Sequence, residues 1–423
     1  MTGVEARPRL SADFWKYFAG QTISSLGDSF TLFALPLLVF KLTGSAVNLA
    51  LSTAANFIPY LLFGLVIGAY VDRVDRKRMM KMTALARAAV ISTIPLLEVF
   101  GVLNVWWIYA AGFASSTLGI AFDAGEFAAI PSLVKADNLV TANARVMASN
   151  QGAQIAGPIL AGALVAIIPI TALFLFDATT FVASAVALSL VSRSFNVIGE
   201  EQPDPSTIWQ DVREGLSYVL RHPVLRNISI MMALINFVGA TTFTQLVLFA
   251  KERLDATDPQ IGVLFSAGSA GVVLWSLAAG PLRRRWSFST VALGALMADG
   301  ALTVVFAFNR SFPMAVAVWG MVVGVGLMFN INTGALRQQI VPNRLLGRVI
   351  TIASVLAWSA IPLGAVVGGI AIEATGDVAL VYAAVGTVVF LIAFAFRFTA
   401  LGHAEDFVPQ EDKRPEETSA LRA

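Results

Sequence analysis

Six ionisable residues lie in stretches otherwise apolar enough to cross a membrane: Asp28, Arg87, Asp123, Glu126, Asp177 and Asp299. Charge in hydrocarbon is costly unless it is paired or wet, so such residues mark ion, proton or substrate pathways. A buried carboxylate's hold on a proton depends on its solvation and on nearby cations. Asp28 shares its stretch with Gln21, Ser24 and Thr31, spaced so that all four fall on one helix face. A face this polar is expected to line a cavity rather than meet lipid. At 1.5 Å per residue, Asp28 sits about 21 Å and Asp123 about 16 Å from one end of their helices, near the bilayer midplane. Glu126 lies one turn from Asp123 and at the same depth as Arg87. The expectation is a buried Glu126–Arg87 pair, with Asp123 sharing the cation in some states. Such a pair either orients helices statically or separates as a proton moves on and off. Asp177 and Asp299 each admit a structural and a titrating reading.

The elements that position these groups must be membrane helices. The chain has 423 residues, of which 57% are hydrophobic and 13% charged, against roughly 25% charged in soluble domains. Mean hydropathy is +0.74. With no cysteine, thiol catalysis, disulfides and cysteine-held metal are excluded. The two histidines, His222 and His403, lie outside the apolar stretches, so no metal site is expected. Apolar runs predict an all-α polytopic protein with twelve transmembrane helices in two pseudo-symmetric six-helix bundles. The first six spans are 14–40, 45–71, 79–101, 104–134, 142–167 and 169–192, and the second six are 225–250, 259–282, 287–308, 312–338, 346–372 and 378–398. The implied divisions are an N-terminal segment 1–13, bundles 14–192 and 225–398, a linker 193–224 and a tail 399–423. Within the linker, 209–220 reads as an amphipathic helix at the membrane surface. Only Lys41, Lys251, Arg253 and Arg310 fall on the loops opposite the termini, so both termini are expected in the cytoplasm of a multi-pass plasma-membrane protein.

The two sets of six repeat each other. Gly68-Ala69-Tyr70-Val71-Asp72-Arg73 closes the second span and Gly280-Pro281-Leu282-Arg283-Arg284-Arg285 the eighth. Arg145 precedes Pro158 much as Arg348 precedes Pro362, with small residues after both prolines. The run Gly68 to Arg78 resembles the loop signature between helices two and three of the major facilitator superfamily (G-x-x-x-D-R-x-G-R-[RK]), with Asp75 where that pattern has glycine. The resemblance covers about residues 14–398. It is nearest the macrolide-efflux and enterobactin-exporter-like branch, through Gln21 to Asp28, Ala129 to Val134, Asp177 to Phe181, and Glu214 to Val219 followed by Arg221 to Arg226. It implies the major facilitator fold. It also implies a gating role for Gly68, Asp72, Arg73, Arg76, Lys77 and Arg78, which latch one conformation through charge-assisted bonds. Gly157-Pro158 resembles the Gly-Pro signature of antiporter branches, a kinked and closely packed fifth helix.

These observations converge on secondary active transport. No G-x-x-x-x-G-K-[ST] nucleotide loop occurs, and no nucleophile–base set suggests an enzyme. The expected activity is proton-coupled efflux of hydrophobic or amphipathic compounds by alternating access. Uptake or lipid movement on the same fold, and a transport-inactive receptor or scaffold, are the alternatives. Substrate contacts are expected from Gln21, Ser24, Asp28, Thr31, Asn236, Asn330 and Trp358, since amide, aromatic and soft side chains suit bulky amphipathic molecules. The expected partners are a small-molecule substrate, protons and the lipid bilayer, without nucleic acid or cofactor, and the chain is expected to act as a monomer.

Overall fold

The computed structural model describes residues 10–71, 74–135, 138–195 and 208–407. The first half contains six long helices, α1 (Ala12–Thr43), α2 (Ala46–Val71), α3 (Arg76–Val99), α4 (Val105–Leu133), α5 (Leu139–Val165) and α6 (Thr171–Leu190). A short helix, α7 (Ile208–Arg221), precedes the second half. There follow α8 (Pro223–Thr244), α9 (Leu246–Leu254), α10 (Asp258–Arg285), α11 (Phe288–Phe308), α12 (Phe312–Ile340), α13 (Asn343–Trp358), α14 (Ala360–Thr375) and α15 (Val378–Phe396). Among the described residues eleven stretches are long and apolar enough to cross a membrane, one of them, Ile352–Thr375, running from α13 into α14. The twelfth crossing, α5, is more polar because its hydrophilic face is bonded to α1: Thr22 and Ser149 hydroxyls meet at 2.6 Å, and Ser25 donates to Asn150 at 2.6 Å. Satisfying side-chain polarity within the bundle lets a less apolar helix cross.

Two expected spans are interrupted. The eleventh breaks at Ser359 into α13 and α14, because Pro362 has no N–H for the carbonyl four residues back, at Trp358. The seventh breaks at Gln245 and then continues as α9 to Leu254, past the expected end. Pro158, by contrast, leaves α5 continuous.

Helix ends follow local chemistry. Ser11 caps α1 by accepting from Phe14 N at 3.1 Å, and Gly44 ends it with φ of 60°. Asp75, the departure from the loop pattern, is the N-cap of α3, accepting from Arg78 N at 2.9 Å. Its backbone is extended rather than left-handed, so glycine is not needed there. Midway along the chain, burial lowers the His222 pKa and favours the neutral ring, whose Nδ1 can accept from Leu225 N at the start of α8.

Within the first half α6 packs on α1 and α3, and α4 on α2 and α3; within the second, α12 packs on α10 and α11, and α15 on α8 and α11. The halves meet along α5–α10 and α2–α14. Both seams need glycine. A methyl group on Gly262 would collide with the Pro158 carbonyl, and one on Gly369 would come within 2.9 Å of the Ala46 carbonyl. Backbones that approach this closely gain dispersion contacts that lipid cannot replace. Gly262→Ala should therefore lower stability by about 1–3 kcal/mol, read as a lower Tm in detergent. Gly152→Ala, where the added carbon meets nothing within 4 Å, should leave Tm unchanged or raise it.

Candidate functional site

A cavity of about 530 Å³ lies between the halves. Its first-half wall is polar. Asp28 and Thr31 come from α1, Ser52, Asn56 and Tyr60 from α2, Arg87 from α3, and Ser115, Ser116 and Asp123 from α4. The second half contributes mainly Phe243, Phe265 and Trp358. Ser52, Asn56 and Tyr60 recur every fourth residue on α2, as Ser115, Gly119 and Asp123 do on α4, so each set forms one stripe along its helix. Sequence reasoning passed over the α2 stripe, although its spacing is a legible signal.

Arg87 organises the polar wall. Its Nη2 donates to Asp28 Oδ1 at 2.7 Å, its guanidinium stands 4.1 Å from the centre of the Phe181 ring, and its Nε approaches Ser115 Oγ at 3.4 Å. The expected Glu126–Arg87 pair is not the one formed. Glu126 Oε1 instead accepts from Tyr17 Oη at 2.9 Å and from Gln21 Nε2 at 3.2 Å. Two donors from α1 already satisfy it, while Asp28 has only the guanidinium among the described residues. Counting helix rise matched the depths of Glu126 and Arg87 but ignored helix tilt and the reach of an arginine. Asp123 projects into the cavity and is exposed there.

The stripe on α1 divides. Asp28 and Thr31 reach the cavity, but Gln21 and Ser24 are buried, because the lower part of α1 is enclosed by α4 and α6. Gln21 accepts from Ser184 on α6 at 2.9 Å as well as donating to Glu126. Asp177 is buried behind α1, accepting from Thr31 Oγ1 at 2.5 Å and from Thr180 Oγ1 at 3.3 Å. Thr31 thus connects the cavity wall to Asp177.

The remaining candidates are scattered. Trp358 lines the cavity, its ring 6.0 Å from that of Tyr60 across the interface. Asn236 is away from the lining and donates to the Ala357 carbonyl at 2.9 Å, next to the α13–α14 break. Asn330 is exposed on α12 outside the lining. Asp299 faces Gly326 on α12 and has no hydrogen-bond or ion-pair partner among the described residues. Of the loop residues, Gly68 lies in the last turn of α2, Arg76 is buried in the first turn of α3, and Arg78 is exposed. Lys77 Nζ donates to the Val191 carbonyl, where a cation complements the C-terminal end of α6. Asp72 and Arg73 lie outside the described residues. Gly157 packs against Ser29 of α1, and Pro158 against Gly262.

The cavity is roofed at the end away from the termini, by contacts the sequence did not announce. Asp258 at the start of α10 pairs with Lys41 of α1 at 2.5 Å and with Lys251 of α9 at 2.6 Å. Glu373 of α14 accepts from Val47 N at 3.1 Å and from the Ser45 hydroxyl, so a carboxylate of one half caps the first turn of α2 in the other. Gln245 Nε2 donates to the Ala46 carbonyl at 2.7 Å.

Tyr17→Phe should remove the charge-assisted bond to Glu126 and cost about 1.5–3 kcal/mol, measured as a lower Tm. Glu126→Gln, which keeps an acceptor for both donors, should cost less. A larger loss for Glu126→Gln than for Tyr17→Phe would contradict the assignment of Glu126 to the α1 contact.

Comparison with known proteins fits this geometry. The sequence profile described as Major Facilitator Superfamily matches residues 17–297. The multidrug efflux pump Tap of Mycolicibacterium fortuitum is 29% identical over 394 residues, covering 89% of this chain and 92% of Tap. Macrolide efflux protein A of Streptococcus pyogenes is 24% identical over 371 residues, covering 86% and 90%. Among solved structures, an inward-facing, unoccupied bacterial homologue of the lysosomal transporter Spinster superposes with a TM-score of 0.75 at 13% identity, covering 96% of this chain and all of that one. An inward-facing bacterial homologue of the iron transporter ferroportin gives 0.73 at 17% identity, covering 92% and 100%. A profile match over most of the chain, joined to a cavity between two six-helix halves, identifies the protein as a membrane transporter of the major facilitator superfamily.

Proposed function

We propose that this chain exports hydrophobic or amphipathic compounds in exchange for protons, by alternating access between its two six-helix halves. The observation that carries the reading is the Asp28–Arg87 pair on the cavity wall, with Asp123 exposed beside it and aromatic rings opposite. One wall offers charge that can gain or lose a proton, and the other offers apolar surface for a bulky ligand. The names of the efflux relatives support the direction of transport.

The basic end is cytoplasmic by the distribution of lysine and arginine. With the far end roofed, the cavity is then accessible from the cytoplasm. In that state a proton leaves the Asp28–Asp123 centre and substrate enters, its apolar body against Phe243, Phe265 and Trp358. Rocking of the halves breaks the Asp258 and Glu373 contacts at the far end. Substrate departs there, and a proton neutralises a carboxylate, which lowers the cost of re-enclosing the site. Arg87 acts as the fixed countercharge, and Thr31 links Asp177 to the same wall. Gly157 and Pro158 lie where the halves pivot, and the 68–78 segment latches the cytoplasmic side when that side closes. One chain contains the whole cavity, so a monomer suffices.

In inverted membrane vesicles energised by respiration, uptake of a lipophilic dye such as ethidium should collapse on adding a protonophore. Uptake that survives the protonophore would refute proton coupling. Asp28→Asn and Asp123→Asn should each reduce energised uptake by at least about tenfold, the factor that corresponds to 1.4 kcal/mol, with little loss of Tm. Undiminished uptake in both variants would remove these residues from the mechanism.

A further inference from the structure

A second cavity lies outside the transport pathway. Helices α10 and α11 both pack on α12 but barely meet each other, which leaves a groove of about 590 Å³ between them. Small residues of α11 (Gly294, Ala295, Ala298 and Ala301) form one side, and Trp275, Leu282 and Trp286 stand opposite. From Thr290 to Val305 the groove follows α11 for about 22 Å, longer than one leaflet's share of a hydrocarbon core about 30 Å thick. Its lining is apolar along this length, with Thr290 as the exception at the basic end.

At that end the last turn of α10 carries Arg283, Arg284 and Arg285, between the lining residues Leu282 and Trp286 in sequence. Arg283 Nη1 donates to the Trp286 carbonyl at 2.9 Å and to Glu405 at 3.2 Å. Glu405 is further occupied by Phe288 N at 2.6 Å. Arg284 and Arg285 are exposed and have no acidic partner among the described residues, and the Arg285 guanidinium lies 5.5 Å from the Trp286 ring. Helix α11 begins here too, and its N-terminal dipole adds positive potential. Tryptophan and arginine at this height mark the head-group level.

We infer that this groove binds one anionic phospholipid, its acyl chain between α10 and α11 and its phosphate against Arg284 and Arg285. Two features select the occupant. An apolar slot running along the membrane normal accepts an extended chain, and uncompensated arginines at its mouth favour a negative head group. Asp299, on α11 but absent from the groove lining, leaves the slot free of acid.

Native mass spectrometry of the purified full chain tests this, using dioleoyl phosphatidylglycerol and dioleoyl phosphatidylcholine as probes. The anionic lipid should form a one-to-one adduct about tenfold more tightly than the zwitterionic one. Arg284→Gln with Arg285→Gln should abolish that preference. Gly294→Leu should fill the slot and weaken the adduct; the position has no heavy atom within 4 Å of an added carbon, so the helices need not move. If that variant does not purify, Ala298→Met blocks the same slot. Glycerol phosphate, a head group without chains, should fail to displace the lipid. Equal binding of both lipids, an adduct unaffected by filling the slot, or displacement by glycerol phosphate would each overturn the inference.

Discussion

The polar wall of the cavity and the helices behind it are arranged around the cost of charge in a low-dielectric medium. The first half carries four intramembrane carboxylates and one arginine, and each acid is dealt with differently. Asp28 takes the guanidinium of Arg87 at 2.7 Å, and Asp177 accepts two threonine hydroxyls. Glu126 is satisfied by Tyr17 and Gln21, and Asp123 stands in the cavity. Desolvated charges are tolerable only when partnered or wet. The two acids that reach the cavity are the ones whose surroundings a substrate or a proton can change. Concentrating ionisable groups in one half leaves the other to supply apolar surface, which gives an amphipathic ligand two different walls.

The closure at the far end rests on a different balance. Backbone contact at Gly262 and Gly369 brings the halves close enough for Gln245 and Glu373 to reach carbonyl and N–H groups at the start of α2. The Glu373 bonds lie at an exposed rim, within reach of water, whereas the Gln245 bond is buried between the halves. The packing is therefore specific, and of the bonds it permits those of Glu373 are open to solvent.

The fold was readable because membrane burial writes a strong signal. Twelve apolar runs, the lysine and arginine bias and the repeated Gly68 and Gly280 segments are all visible without knowledge of tertiary contacts. The break at Ser359 was legible in Pro362, whereas nothing local distinguishes Gln245 from other buried amides. Asp28, Thr31, Arg87, Asp123 and Trp358 were singled out by residue type, spacing or depth, and they line one cavity. Their pairing was not legible. Whether Arg87 turns to Asp28 or to Glu126 depends on Tyr17, more than a hundred residues from Glu126 in sequence, which supplies the competing hydrogen bond. Gln21 and Ser24 share the α1 stripe with Asp28, yet α4 and α6 cover them. Helical periodicity tells which residues share a face, but not where along the helix that face stops meeting water.

The central claim is that proton and substrate compete for the Asp28–Arg87–Asp123 centre. The most direct measurement is proton release on substrate binding, followed with a pH-sensitive dye in weakly buffered, purified protein without any membrane potential. The account predicts stoichiometric release on adding a lipophilic substrate, lost when both Asp28 and Asp123 are replaced by asparagine. Saturable substrate binding with no proton released, or release unchanged in the double variant, would contradict it.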